Sequence, residues 1–342
     1  MRVLLDTTYA RRGPSGTGVY IERLASALRE EGVEVLEAAN ERRPAPAGGG
    51  LGSARNLALD ARWTQIELPR RAWAARADVL HHPLPAFAAR AQCPQVVTVH
   101  DLAFERLPER FSPAFRLWAS RTHRRAARRA DAVVCVSQTT RLDALARWGV
   151  DPGRIVVAAH GPGQQPRLVA AVRAEHFLYV GDDEPRKNLG LLLDAHARYR
   201  AAAAAAGGAP PLPLVLAGRA TTTQEGVRCV PDPNLPALLN GTAALVHPAL
   251  HEGFGLTALE AMSAGVPVVA ARSPGLAETV GDGGLLVDPY DAEALAQVLE
   301  RVASDPALRA ELAQRGRARA AGFSWRASAR AHIEAYTLAT QR

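Results

Sequence analysis

The chain has almost no lysine. Among its 41 Lys and Arg residues only Lys187 is a lysine, and every other one is arginine. Cysteine is equally sparse. Cys93, Cys135 and Cys229 lie far apart with no CxxC spacing, which argues against a disulfide framework or a zinc site. No apolar run approaches the ~20 residues that a membrane-spanning helix needs. The opening MRVLLDTTYARRG is too short and too soon broken by charge to read as a secretory signal. Aromatic residues make up 5% of the chain and do not gather with basic ones, so a nucleic-acid partner is disfavoured. These absences lead to the expectation of a cytoplasmic globular protein.

Arginine, alanine, glycine and proline are abundant instead. The net charge of +7 is spread along the chain, with one concentration in RTHRRAARRAD at 121–131. That composition matches the coding bias of a GC-rich genome, so the charge is discounted as a functional signal. The same bias makes the retention of Lys187 conspicuous. A length of 342 residues, 48% of them hydrophobic, allows two domains, each with its own core.

Periodicity gives an α/β protein. RVLLD, VEVL, ADVLHHP, PQVVTVHD and ADAVVCVSQ are apolar runs ending in polar residues, with amphipathic helices between them, including 112–130 and 138–148. Such alternation predicts a parallel sheet wound with helices, in which ligands bind at the carboxyl ends of the strands. His82, His100 and Ser137 fall at such ends. The stretch HGPGQQPRLVAAVRAE at 160–175 reads as a linker, after which a second series begins with HFLYVGDDEPRKN and a helix at 188–206. Two doubly wound domains in tandem are expected.

The densest motif is HPALHEGFGLTALEAMSAGVPVVA at 247–270. Gly253 and Gly255 permit a tight turn after a strand, and a helix is expected from Leu256 or Thr257. Its first-turn amides and positive dipole end form a seat for phosphate. Glu252 and Glu260, with seven residues between them, flank that seat, where carboxylates can accept hydrogen bonds from sugar hydroxyls. Each glutamate alone is better read as an ordinary helix-terminal charge; the whole string is not. His247 and His251 lie four apart but lack a third ligand, and the acidic DDE at 182–184 is read as surface charge, so no metal site is assigned.

This string resembles the E-x7-E region of family-4 retaining glycosyltransferases, which have the GT-B fold, and its overall similarity leans towards mannosyl- or glucosyltransferases. GTGVY, VVTVHDLAF, ADAVVCVSQTTR, YVGDDEPRKNL, VLAGR, PGLAETVGDGGLLVDP and FSW match in the expected order. The resemblance implies two Rossmann-like domains with an interdomain cleft. An acceptor-binding domain would span 1–162 and a nucleotide-sugar-binding domain 163–325, with a final helix at 326–342 packing back on the first. It implies retaining transfer of a hexose from a GDP- or UDP-linked donor to a sugar or lipid-linked acceptor, with no metal and no cofactor.

Residue by residue, the resemblance gives Glu260 the ribose hydroxyls and Glu252 the donor sugar. The backbone of Gly253, Phe254, Gly255, Leu256 and Thr257 would cap the diphosphate. Lys187 would neutralise the diphosphate with Arg186 assisting, and His100 would face the donor sugar and the acceptor. The base would stack near Val230 and Pro231. Gly16, in GPSGTG, would let a ligand approach the backbone, although a plain strand–helix connection reads as well. Some relatives carry arginine where this chain has Asp182, which leaves Arg186 or Arg219 to supply a second positive contact. The arginine-rich helix near 116–129 reads first as a solvated face and second as a peripheral contact with the inner membrane face. A sugar-nucleotide epimerase or hydrolase of the same fold, and a non-catalytic nucleotide-sugar binder, stay open as alternatives.

Overall fold

Short runs of Val, Leu and Ala become central strands because a parallel sheet covered by helices buries both of its faces. The computed structural model describes residues 1–12, 15–43, 51–163, 174–207, 209–231 and 234–342. The glycine turn at 13–18, the linker at 160–175 and the loop after Val230 thus fall partly outside the described residues. The chain divides into two compact units. One joins Met1–Gly163 to Ser324–Arg342, and the other is Gln164–Phe323.

In the first unit, strands β1 (Arg2–Asp6), β2 (Glu34–Ala38), β3 (Val79–His82), β4 (Gln95–Val99), β5 (Ala132–Cys135) and β6 (Ile155–Val157) form one parallel sheet in the order β2-β1-β3-β4-β5-β6. The winding reverses between β1 and β3. In the second unit, β7 (His176–Val180), β8 (Leu214–Ala217), β9 (Val227–Val230), β10 (Thr242–His247), β11 (Val268–Ala271) and β12 (Leu285–Val287) run in the order β12-β11-β10-β7-β8-β9, also parallel. Here the reversal lies between β7 and β10. At such a reversal the flanking helices leave on opposite faces, and a crevice opens at the carboxyl ends of the two strands.

Helix Gly16–Glu30 begins earlier than the apolar periodicity predicts. Ser15 accepts a hydrogen bond from the Gly18 amide at 3.0 Å, and this cap draws Gly16 to Gly18 into the first turn. The helical stretch expected over 138–148 is an α-helix only to Asp143 and closes in a π turn at Ala144–Trp148. A second π turn, Trp63–Glu67, joins helices Leu51–Arg62 and Leu68–Ala74, which the sequence pattern does not reveal.

Helix Trp325–Thr340 belongs to the first unit. Its Ala329, Ala335, Tyr336 and Ala339 enter a core with Tyr20, Leu24 and Leu28 of helix Gly16–Glu30 and with Val3 and Val96 of the sheet. Gly161 makes that return possible. A Cβ at this position would sit 2.4 Å from the Trp325 amide nitrogen and 2.9 Å from the Ser324 carbonyl carbon. Gly161→Ala is therefore expected to cost about 1–3 kcal/mol through overpacking, lowering Tm by ~2–4 °C per kcal/mol. Gly190→Ala is the control, because among the described residues nothing lies within 4 Å of its added carbon. It sits in helix Leu189–Ala205 and is expected to leave Tm unchanged or raise it. Thermal melts of the two variants check the pair.

Candidate active site

The reversal point of the second unit gathers charge. After β7, Gly181 turns the chain with φ 147° and a short 3-10 turn, Pro185–Lys187, leads into Asn188 at φ 58°. The Asn188 side-chain amide donates to the carbonyls of Pro248 at 3.2 Å and Pro289 at 2.8 Å, and the Leu250 amide donates to the Arg186 carbonyl at 2.9 Å. These bonds fasten the loop after β7 to the loops after β10 and β12. Lys187 and Glu252, 65 residues apart in sequence, are thereby brought into an ion pair through Nζ and Oε1.

The same carboxylate oxygen accepts from Arg186 Nη1 at 3.1 Å and from His247 Nε2 at 3.4 Å. Only 13% of the Glu252 side chain and 15% of the Lys187 side chain remain exposed. Burial alone would raise the Glu252 pKa. The opposing pull of Lys187, the His247 hydrogen bond and Arg186 holds it well below the usual carboxylate range. Burial pushes the His247 imidazole down, so the ring is neutral and donates through Nε2–H. Within the described residues, no group of His, Cys, Asp and Glu side chains has the arrangement of a metal site.

Helix Leu256–Ala264 starts four residues after Glu252, with Gly255 at φ 92° and no side chain capping it. Its first-turn amides have no acceptor within the helix. Two glycines shape this loop. A Cβ on Gly255 would lie 2.6 Å from Leu276 Cδ2, and one on Gly275, at φ 80°, would lie 1.9 Å from the Glu252 carbonyl oxygen. Phe254 is buried, Leu256 and Thr257 are half-buried, and Glu260 is buried on the helix. Asp182 is paired with Arg219 through Nε at 3.1 Å and through Nη2, and it also accepts from the Arg219 amide. Arg219 itself is 82% exposed.

The remaining candidates lie elsewhere. Val230 closes β9, two strands from β7 at the sheet edge. Gly16 and His100 stand in the first unit, and among the described residues nothing lies within 4 Å of where a Gly16 side chain would begin. His100 donates Nε2–H to the Pro83 carbonyl at 2.9 Å, which leaves Nδ1 as the acceptor of the ring. Loss of solvation lowers its pKa.

Pro83 also lines a cavity of about 770 Å³ at the reversal between β1 and β3, within the ~300–1,000 Å³ usual for ligand sites. Sequence reasoning did not find this cavity. Its walls include Asp6, Asn56, Trp63, His82, Phe87 and Trp118. Asp6 accepts from the Trp63 indole N–H at 3.0 Å, so the π turn sets that wall. His82 donates to Gln95 Oε1 at 3.1 Å. Among the described residues nothing donates to His82 Nδ1 or Asn56 Oδ1, both buried. The signal available in the sequence was the polar strand ends, Asp6 and His82. The role of His247 was missed because its spacing to His251 was weighed only as metal ligation.

The charge cluster makes a pH prediction. Glu252 has a depressed folded pKa, so its contribution to stability is complete above its ordinary value of 4.5 and is lost as pH falls below it. Lys187→Ala removes the strongest downward pull. Stability is expected to fall by on the order of 1–3 kcal/mol, and the acid limb of Tm against pH is expected to move to higher pH than in the wild type. Superimposable acid limbs would mean that Lys187 does not hold the carboxylate.

Residues 14–161 match the family described as Glycosyltransferase Family 4, and residues 164–319 match Glycosyl transferases group 1. The chain is 31% identical over 310 residues to the O-antigen chain mannosyltransferase B of Escherichia coli, covering 79% of this chain and 77% of that one. The structure is similar to sucrose-phosphate synthase from Thermosynechococcus elongatus, with a TM-score of 0.76 at 20% identity over 98% of both chains. It is also similar to the HepE protein of Anabaena in complex with UDP and glucose, with a TM-score of 0.70 at 19% identity over 98% of both chains. The two parallel sheets are those of the GT-B fold, and the chain belongs to the family-4, group 1 glycosyltransferases.

Proposed function

We propose that the protein transfers a hexose, mannose or glucose, from a GDP- or UDP-linked donor to an acceptor hydroxyl with retention of anomeric configuration. The observation that carries this assignment is the Lys187–Glu252 pair at the reversal point of the second unit, just ahead of an uncapped helix. A donor diphosphate competes with Glu252 for Lys187 and Arg186. As the phosphate takes those cations, Glu252 is released to accept from sugar hydroxyls. The amides of Phe254 to Thr257 cap the diphosphate, Glu260 takes the ribose hydroxyls, and Val230 flanks the base.

When the bond from the anomeric carbon to the phosphate oxygen breaks, that oxygen gains negative charge, which Lys187 stabilises. The acceptor oxygen attacks from the same face, and its proton passes to the departing phosphate oxygen. No protein nucleophile is required, and Lys187 with Arg186 supplies the positive charge that a divalent cation would otherwise bring. We assign the acceptor to the first unit, near His100. The cavity beside Pro83, walled by Asp6, Asn56, Trp63 and His82, has the mixed polar and aromatic lining that suits a hydroxyl-bearing group. The mannosyltransferase named in E. coli and the UDP and glucose named with HepE support a hexose and a nucleotide diphosphate.

A thermal-shift series with GDP, UDP, dTDP and ADP on wild type and Lys187→Ala tests the donor site. One diphosphate is expected to stabilise the wild type by ~2.7 kcal/mol at a hundredfold excess over Kd, and the variant far less. Equal or absent shifts in both proteins overturn the donor site. Turnover of the matching nucleotide sugar without acceptor would favour an epimerase or hydrolase, and binding without release of nucleotide would favour a binder.

Helix Pro113–Arg129 exposes Phe115, Leu117 and Trp118 beside Arg121, Arg124, Arg125 and Arg128. This mixture of exposed apolar and basic side chains supports peripheral contact with an anionic bilayer. Among the described residues no helix is long and apolar enough to cross a membrane. Phosphatidylglycerol vesicles are expected to sediment the wild type and to lose it on Leu117→Ser with Phe115→Ser. Equal sedimentation of both, or of neither, rules out this contact.

A further inference from the structure

Five polar side chains buried in the first unit form a continuous chain that neither the donor nor the acceptor assignment uses. Tyr336 Oη meets His81 Nδ1 at 2.8 Å, and His81 Nε2 meets Thr98 Oγ1 at 2.9 Å. Thr98 Oγ1 meets Tyr20 Oη at 2.8 Å, and Tyr20 Oη meets His332 Nε2 at 2.9 Å. His332 Nδ1 ends the chain on the Ser328 carbonyl at 2.7 Å. The links come from helix Trp325–Thr340, β3, β4 and helix Gly16–Glu30.

The direction of every bond follows from the last one. A carbonyl only accepts, so His332 Nδ1 carries the proton. Burial lowers the His332 pKa to about 4, and the neutral ring therefore keeps a lone pair on Nε2. Tyr20 must donate to it, and the Tyr20 oxygen then accepts from Thr98. The Thr98 oxygen accepts in turn from His81 Nε2–H. His81, also kept neutral by burial, receives the Tyr336 proton at Nδ1. With both rings neutral, no other arrangement makes all five bonds.

This ordered chain fixes the Tyr20 ring, and that ring touches His100. Its edge meets the His100 ring with centroids 4.9 Å apart at an interplanar angle of 84°. Tyr20 also lies 4.9 Å from the His160 ring, which stacks on Trp325 at 5.4 Å. The Trp325 indole N–H is anchored on the Pro162 carbonyl at 2.7 Å. His100 is thus held by its hydrogen bond to the Pro83 carbonyl, by the His160 ring at 5.8 Å and by a phenol whose pose depends on the last helix.

We propose that Tyr20 is a positioning residue for His100, and that helix Trp325–Thr340 sets its pose through His332 and Tyr336. This rests on the assignment of His100 to the reaction. Tyr20→Phe removes one oxygen and keeps the ring, whereas His332→Phe cuts the chain at the helix. Both are expected to lower kcat about tenfold or more, with donor KM and protection by the stabilising diphosphate, GDP or UDP, within about twofold of wild type. The ¹⁵N resonances of the His100 ring are expected to move in both variants.

His332→Gln offers Oε1 to the Tyr20 hydroxyl and is expected to recover most of the activity. Unchanged kcat per folded molecule with His100 resonances in place, alongside a lower Tm, would overturn the proposal and leave the chain a purely structural tie. Should His332→Phe not fold, Tyr20→Phe decides alone. If His100→Ala leaves kcat unchanged, the role of His100 fails. The His100 resonances in Tyr20→Phe and His332→Gln still decide whether the last helix holds that ring.

Discussion

One carboxylate oxygen receives three nitrogen donors from two separate places in the chain. Glu252 Oε1 is shared by Lys187, Arg186 and His247, and burial at this depth makes the arrangement all or nothing. A carboxylate taken out of water needs its partners, and two cations on one loop need an anion. The loops after β7 and β10 therefore cannot drift apart without exposing unpaired charge. Asn188 and Gly275 serve this constraint. The former fastens the lysine loop to its neighbours through backbone carbonyls, and the latter makes room for the Glu252 carbonyl. Glu184 also pairs with Arg186 at 2.8 Å, so two carboxylates stand against the two cations of this loop.

Both units apply one topological rule to different chemistry. In each, the winding reverses between two neighbouring strands, and the carboxyl ends at that reversal carry the polar residues. The second unit places ion pairs there, Arg186 and Lys187 with Glu184 and Glu252. The first places hydrogen-bonding groups, with Asp6 saturated by its own neighbours and by Trp63, while Asn56 and His82 keep acceptor atoms without a donor from the described residues.

The sequence revealed whatever was carried by short-range pattern. Apolar runs marked most strands, because both faces of these sheets are buried. The isolated lysine and the glycines around Glu252 marked the charged loops that the structure pairs. Features that depend on irregular backbone or on distant partners were not legible. The segment containing Asn56 and Trp63 has no clean period, since a π turn interrupts its helices. The three residues of β6 are too few to stand out. His247 looked like half a metal site, and its hydrogen bond to Glu252 appears only once β10 and its following loop are folded together. Asp182 stands where some relatives carry arginine, and its bond to Arg219 joins two adjacent strand ends that no local pattern connects.

The first unit is discontinuous, since residues Ser324–Arg342 complete a core begun by Met1–Gly163. This has a consequence during synthesis on the ribosome. The unit that starts first cannot be finished until 160 intervening residues have been made, because Tyr336 and His332 supply part of its interior. The Gln164–Phe323 unit, being continuous, has no such wait. A nascent chain therefore passes through a stage in which its earliest sheet has one uncovered flank while the later domain closes. Such exposed apolar surface is what chaperones recognise and what drives premature association. The long loop that must be closed also slows this last docking step more than it weakens the finished fold.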